Sequence, residues 1–337
     1  MSTPVISDQL SNATVPTESS GKPIRGPRAL DESWSRFWHL SYNIARSEFK
    51  LKFFGSALGY LWQVVRPLLL FGVLYIFFVK IFHVNRATGA AARFYGAQLL
   101  ASIVLFTFFA EATSGAVRSV VDRENLVRKI QFPRLAIPIS VVLLALFNLG
   151  LNLVVVMIFA VAAGARPMLS WLELPLIILM LSVLATGVAM LLSALFVKFR
   201  DISPIWEVLS QILFYSSPVI IPAETVREKL ICDTSPPSIA SCKTHGTPMK
   251  VITDGHINYV YKHAGLDHFL YHLYTLNPLV TVFQQFRHAM INRATLSAGQ
   301  IMGSWTALIE PLALVSVIFL VGFWYFNRSA PHIAEDL

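Results

Sequence analysis

Charge is scarce in this 337-residue chain: 14% of its residues are charged, against about 25% in a soluble globular protein. It cannot cover a large water-facing surface. Cysteine occurs twice, which excludes a disulfide scaffold and a Cys-rich metal protein. The phosphate-cradling pattern Gly-x-x-x-x-Gly-Lys-Ser/Thr is absent, so the chain holds no ATP of its own through such a loop. His-Glu-x-x-His, Cys-x-x-Cys and Gly-x-Ser-x-Gly are absent too. Any energy source is therefore an ion gradient or a separate subunit. No apolar run stands at the N-terminus where a cleaved signal peptide would.

What remains is apolar. Hydrophobic residues make up 55% of the chain, with 24 phenylalanines, and the mean hydropathy is +0.60. Composition points to an all-α polytopic membrane protein. The net charge of +8 does not point to nucleic acid, because the basic residues alternate with long apolar runs. Residues 1–30 are rich in Ser, Thr and Pro and cannot bury enough surface to offset their ordering entropy; a disordered cytosolic tail is expected.

A bilayer core of about 30 Å needs roughly 20 helical residues. Six segments meet that: Leu61–Phe82, Tyr95–Val117, Ile137–Ala163, Leu172–Val197, Ile205–Ile221 and Ile309–Phe326. Short-loop cations set the orientation. Arg118, Arg123, Arg128, Lys129 and Arg134 fall between the second and third spans, and Lys198 and Arg200 between the fourth and fifth. The opposite short loops hold Lys80, Arg86 and Arg93, and Arg166 alone. Both termini, including the tail 327–337, are predicted to be cytosolic, and 222–308 to lie outside.

Residues 31–53 form a predicted amphipathic helix. Trp34, Phe37, Trp38, Ile44, Ala45 and Phe49 share one side, with Arg36, Asn43 and Lys50 opposite. Tryptophans on an apolar face and cations on the other suit a helix lying among lipid headgroups. The plainer alternative is a core helix of a soluble domain, which the composition does not provide. Gly55 and Gly59 allow either close helix packing or a flexible corner.

One carboxylate, Glu111, lies well within a predicted span. It is either a proton or polar-substrate site, or a group held by local partners such as Arg118. Phe71, Tyr75 and Phe78 recur at helical spacing in the first span, and Phe214 and Tyr215 stand in the fifth. Such rings can stack on sugar faces, or simply pack and contact lipid. The loop 118–134 reads as a charged helix with its acids early and Arg128 and Lys129 late, as the helix dipole prefers. That helix is a docking surface or a positive anchor. Cys232 and Cys242 fall on the oxidising side, where a disulfide is favoured over two thiols. His268 and His272 have metal-ligand spacing but no third ligand.

The stretch Arg46-Ser-Glu-Phe-Lys-x-Lys-Phe-Phe-Gly-Ser-x-Leu-Gly-Tyr-Leu-Trp62, with Arg66-Pro67-Leu68, resembles the N-terminal signature of ABC-2 type polysaccharide-export permeases. Asn125-Leu-Val-Arg-Lys-Ile-Gln-Phe-Pro-Arg134 is similar to their first cytosolic loop. Phe199-Arg-Asp-Ile202, Ser216-Ser-Pro-Val219 and Leu276-Asn-Pro278 match in order. The ordered set covers residues 40–327. The resemblance implies a homodimer of six-helix permeases in the bacterial cytoplasmic membrane, working with two copies of a separate ATPase that carries ATP and magnesium. This chain would have no cofactor, metal or catalytic residue. The exported cargo would be a lipid-linked glycan, surrounded by membrane lipids. Carried over, Glu124, Asn125, Arg128 and Lys129 would seat on the ATPase, with Arg200 and Asp201 beside them. Phe71, Tyr75, Phe78, Phe214 and Tyr215 would line the sugar path. Two departures stand out: the outer loop is long, and Cys232–Cys242 looks inserted. A re-entrant helix is expected at Leu279–Ile291. The alternatives are a drug or small-lipid exporter of the same superfamily and a membrane sugar transferase.

Overall fold

The computed structural model describes residues 34–53, 59–81, 90–124, 133–166, 168–230, 248–253, 256–261, 265–291, 295–303 and 306–331. The N-terminal tail, Gly55, Asn125, Arg128, Lys129, Cys232 and Cys242 lie outside these residues. Helix α1 is Trp34–Phe53, and α2 is Gly59–Tyr75, continued by a wider π turn, Ile76–Ile81. Then come α3 (Ala90–Ser119), α4 (Ala136–Ala162), α5 (Glu173–Lys198) and α6 (Ile202–Ser216). Short α7 (Ala223–Leu230) precedes an antiparallel hairpin, β1 (Pro248–Thr253) and β2 (His256–Tyr261), in which Pro248 pairs with Tyr261 and Thr253 with His256. The chain closes with α8 (Gly265–Leu276), α9 (Pro278–Ile291), α10 (Ala298–Ile301) and α11 (Ile309–Ser329). Apart from that hairpin, the regular structure among the described residues is helical.

Among the described residues, five stretches are long and apolar enough to cross a membrane: Leu61–Val79, Phe94–Ser119, Ala136–Ala162, Leu169–Lys198 and Ile309–Ser329. The predicted fifth span differs. Its helix, α6, has 15 residues, about 22 Å of rise. It ends because Pro218 forces the residue before it out of the helical region, and Ser217 is extended at φ −93° and ψ 157°. Even so, the segment runs the length of α3: Arg118 donates to Ser203 near one end, and the Tyr95 hydroxyl donates to the Ile220 carbonyl at the other.

Helix α3 is the central post, with 72% of its apolar window buried, whereas α2 is laid on the outside with 6%. Polar side chains in α3 are absorbed locally, since Ser102, Thr107 and Thr113 donate to carbonyls four residues back. This satisfies a hydroxyl without a second helix. The tightest crossing joins α5 and α11 at two glycines. A Cβ on Gly322 would stand 2.2 Å from the Gly187 carbonyl oxygen, and one on Gly187 would stand 2.7 Å from the Phe319 Cα. Backbones can approach this closely only where side chains are missing.

Helix α1 departs from the expected lipid anchor. Phe37 is 1% exposed and sits in a cluster with Val120, Ile137, Met190, Ala194 and Phe326. Ser41 and Ala45, one and two turns on, are buried as well. The apolar face therefore docks on the ends of α3, α4, α5 and α11. Trp38 remains exposed, while Trp34 opens the helix with its side chain outside the described part. The same end is tied by polar contacts. Arg123 pairs with Glu48 of α1. Buried Arg134 donates to the carbonyl of Ala330, just past α11, where the helix dipole favours a cation.

At the opposite end, α9 fills the space between α3 and α5. Asn277 caps it by accepting from the Leu279 amide at 3.0 Å, and Pro278 takes the first position, where no amide hydrogen is needed. Nearly every residue of α9 is buried, at the place where a re-entrant helix was expected.

Candidate functional site

Buried and exposed positions on α3 alternate in a pattern that composition alone does not reveal. Phe106 and Thr113 face α6: the Phe106 ring lies 5.0 Å from Phe214, and Trp206 donates to Thr113 at 3.2 Å. Gly96 and Glu111 face α2. A Cβ on Gly96 would meet the Tyr75 ring at 3.1 Å, and Gln63 donates to Glu111 at 3.2 Å. On the α2 side of the helix, in line with Gly96, Thr107, Glu111, Ser114 and Arg118 recur at steps of four, three and four. They share one face, and all stay half or fully exposed. A lipid-facing stripe would be apolar; this one is a polar seam in a span.

Both flanking helices add to the seam. On α2, Gln63 and Arg66 stand one turn apart, with Arg66 exposed. On α6, Glu207, Gln211 and Tyr215 follow at intervals of four and are exposed. They lie beside the contact face of Ser203, Trp206 and Ser210, which is buried against α3. The remaining α6 face, Ile205, Val208, Leu209 and Ile212, is exposed and apolar.

Glu111 is held by amides and not by Arg118. Asn148 of α4 donates to it at 2.9 Å, and Gln63 donates to both its oxygens. Arg118, two turns away, bonds Ser203 and lies 5.9 Å over the Phe196 ring. It thereby joins the end of α3 to the turn between α5 and α6. Arg200 and Asp201 are exposed in that turn, next to the loop that begins at Ser119. Glu124 is the last described residue of that loop, and its amide donates to the Val121 carbonyl at 3.0 Å.

Of the five aromatic candidates, Phe71, Tyr75 and Phe214 pack against the core around α3, from two sides. The Phe71 and Tyr75 rings lie 5.4 Å apart with their planes tilted by 40°, and Phe71 also meets Phe159 at 5.8 Å. Phe214 lies against Phe106, while Tyr215 beside it is 75% exposed. Phe78, in the π turn, contacts Phe77 beyond the end of the seam. So the seam has a polar half near Arg118 and an aromatic half towards Gly96. Thr107, Ser114, Glu207 and Gln211 are absent from the sequence-based candidates. Their signal was a polar residue every third or fourth position inside two apolar segments.

A second polar group lies at the far end. Arg287 of α9 is 2% exposed; it donates to Ser102 at 2.9 Å and to the Val219 carbonyl at 3.2 Å. Glu224 accepts from Gln284 at 2.7 Å and from the Leu296 amide at 3.2 Å. Burial lowers the Arg287 pKa, opposed by Glu224, yet a guanidinium starts so far above neutrality that it stays charged. Burial raises the Tyr274 hydroxyl above its ordinary value, so it is neutral. His272 approaches Glu310 at 4.0 Å on the surface; among the described residues no three ligating side chains converge on a metal position.

Known proteins place this architecture. Residues 41–238 match the family described as ABC-2 type transporter. The chain is 27% identical, over 187 residues, to an O-antigen export system permease protein RfbA of Klebsiella pneumoniae, covering 55% of this chain and 70% of the relative. It is 26% identical over 190 residues to the protein of the same name from Myxococcus xanthus, covering 56% and 71%. With more than half its length matched to that family and five apolar helices to cross a bilayer, the chain is a multi-pass membrane protein belonging to the ABC-2 type transporters.

Proposed function

We propose that this chain is the membrane-spanning subunit of an exporter that carries a lipid-linked, O-antigen-like polysaccharide across the bacterial cytoplasmic membrane, driven by a separate ATPase. The observation that carries this reading is the seam on α3, a polar stripe at bilayer depth left open between α2 and α6. Ionisable groups within a span belong beside water or a polar passenger. Two copies placed with their seams face to face would enclose a passage, and the relatives bearing the O-antigen export name point to a glycan as its passenger. The cargo meets hydroxyls and amides first, then the rings of Phe71, Tyr75, Phe214 and Tyr215, which let it slide.

Segment 202–222 serves as the sixth crossing. The helix contributes about 22 Å, and the extended residues after it add about 3.3 Å each. Both termini then fall on the side of Arg118, Arg123, Arg134, Lys198 and Arg200, which is cytosolic by the short-loop rule. Helix α1 lies at that surface with Trp38, Arg36 and Lys50 outward and Phe37 plugged into the bundle. Glu124, Asn125, Arg128 and Lys129, with Arg200 and Asp201, receive the ATPase. Because Arg118 links the two inner loops, a push on either reaches α3 and α6 together.

Reversing Arg128 and Lys129 to glutamate should lower substrate-stimulated ATP hydrolysis of the reconstituted complex by about tenfold, which needs only about 1.4 kcal/mol of lost coupling. Membrane insertion should be unchanged. Normal stimulation in the double variant would refute the assignment of that loop.

A further inference from the structure

The carbonyls of residues 217–221 cannot be satisfied within a helix, because Pro218 interrupts α6. Side chains from elsewhere hold this stretch. Arg287 takes the Val219 carbonyl, Tyr95 takes the Ile220 carbonyl at 2.9 Å, and Asn277 donates to the Ser217 hydroxyl. Arg287 is the hub, because its other bond goes to Ser102 on α3. One guanidinium therefore joins α3 at Ser102, in the half of that helix nearer Tyr95, to the extended stretch after α6 and the buried helix α9. Glu224, which lies within its electrostatic reach, supplies the opposite charge.

The donors around this hub are not fully used. Arg287 Nη1, the Tyr274 hydroxyl and Gln98 Nε2 are buried without a hydrogen-bond partner. Gln98 stands one turn from Ser102 on the same face of α3. Buried polar groups are ordinarily paired.

We infer that Arg287 is a positioning residue: its forked contact to Ser102 and the Val219 carbonyl clasps the extended stretch after α6 to the body of α3, and so keeps the outer end of the seam closed at rest. The inference rests on the seam being the glycan path. It requires the fork and not merely a positive charge, since lysine offers a point charge without two fixed directions.

The test uses the permease reconstituted with its ATPase in liposomes loaded with a fluorescent oligosaccharide. Without ATP, Arg287→Lys and Ser102→Ala should each raise the leak about tenfold over the unaltered complex, the factor expected when a charge-assisted bond is removed from one side of a two-state equilibrium. Melting of the Ser102→Ala protein should stay near that of the parent, which makes it decisive if the arginine variant folds poorly. An unchanged leak in Ser102→Ala would overturn the clasp. ATP-driven transport of a lipid-linked glycan by the unaltered complex is read in parallel vesicles that carry it; its absence would overturn the export function itself, which separates the two failures.

Discussion

Gly322→Ala is expected to destabilise the purified protein by about 3 kcal/mol, the upper end of overpacking costs. Its new methyl would lie 2.2 Å from the Gly187 carbonyl oxygen. That neighbour is backbone, so no side-chain rotation can relieve the clash; α5 and α11 must separate along their whole contact. Gly72→Ala is the control. Nothing lies within 4 Å of its Cβ position, and removing a helical glycine is worth up to about 1 kcal/mol in the stabilising direction. Thermal unfolding of both variants in detergent checks the pair. Equal melting temperatures would mean that the two helices do not meet at these glycines.

Ser114→Trp should reduce export by more than about tenfold, since an added barrier of only about 1.4 kcal/mol produces that factor. Ser114 is exposed in the middle of the seam, where an indole would stand in the path between α2 and α6. Leu320→Trp places the same ring on the outer face of α11, where Leu320 is 61% exposed, and should export normally. Export is measured with both proteins at matched membrane levels. Equal export from the two would remove the seam as the route.

The sequence made the long apolar runs visible because a helix in hydrocarbon must be apolar over its full length, whatever it packs against. Helix α9 was expected at Leu279–Ile291 from the family resemblance alone; the structure starts it at Pro278 with Asn277 as its cap. The length of α6 was less legible: Ser216, Ser217 and Pro218 stand within an apolar run, and hydropathy averages over them. The apolar face of α1 was readable, but not its cover. Phe37 would satisfy lipid or protein equally, and the choice depends on the ends of four helices distant in sequence. Glu111 shows the same limit. Its partners Gln63 and Asn148 are 48 and 37 residues away, while Arg118, the near candidate, turns to Ser203. Gly187 and Gly322 carry no local spacing signal, because the close approach belongs to the pair.

If the seam is the route, the cargo touches the protein along it. A photoreactive group placed at Gln211 and, separately, at Leu320 can be activated while the reconstituted complex exports glycan in the presence of ATP. Adducts at Gln211 that disappear without ATP, with none at Leu320, are the predicted result. Glycan adducts at Leu320 with none at Gln211 would contradict it.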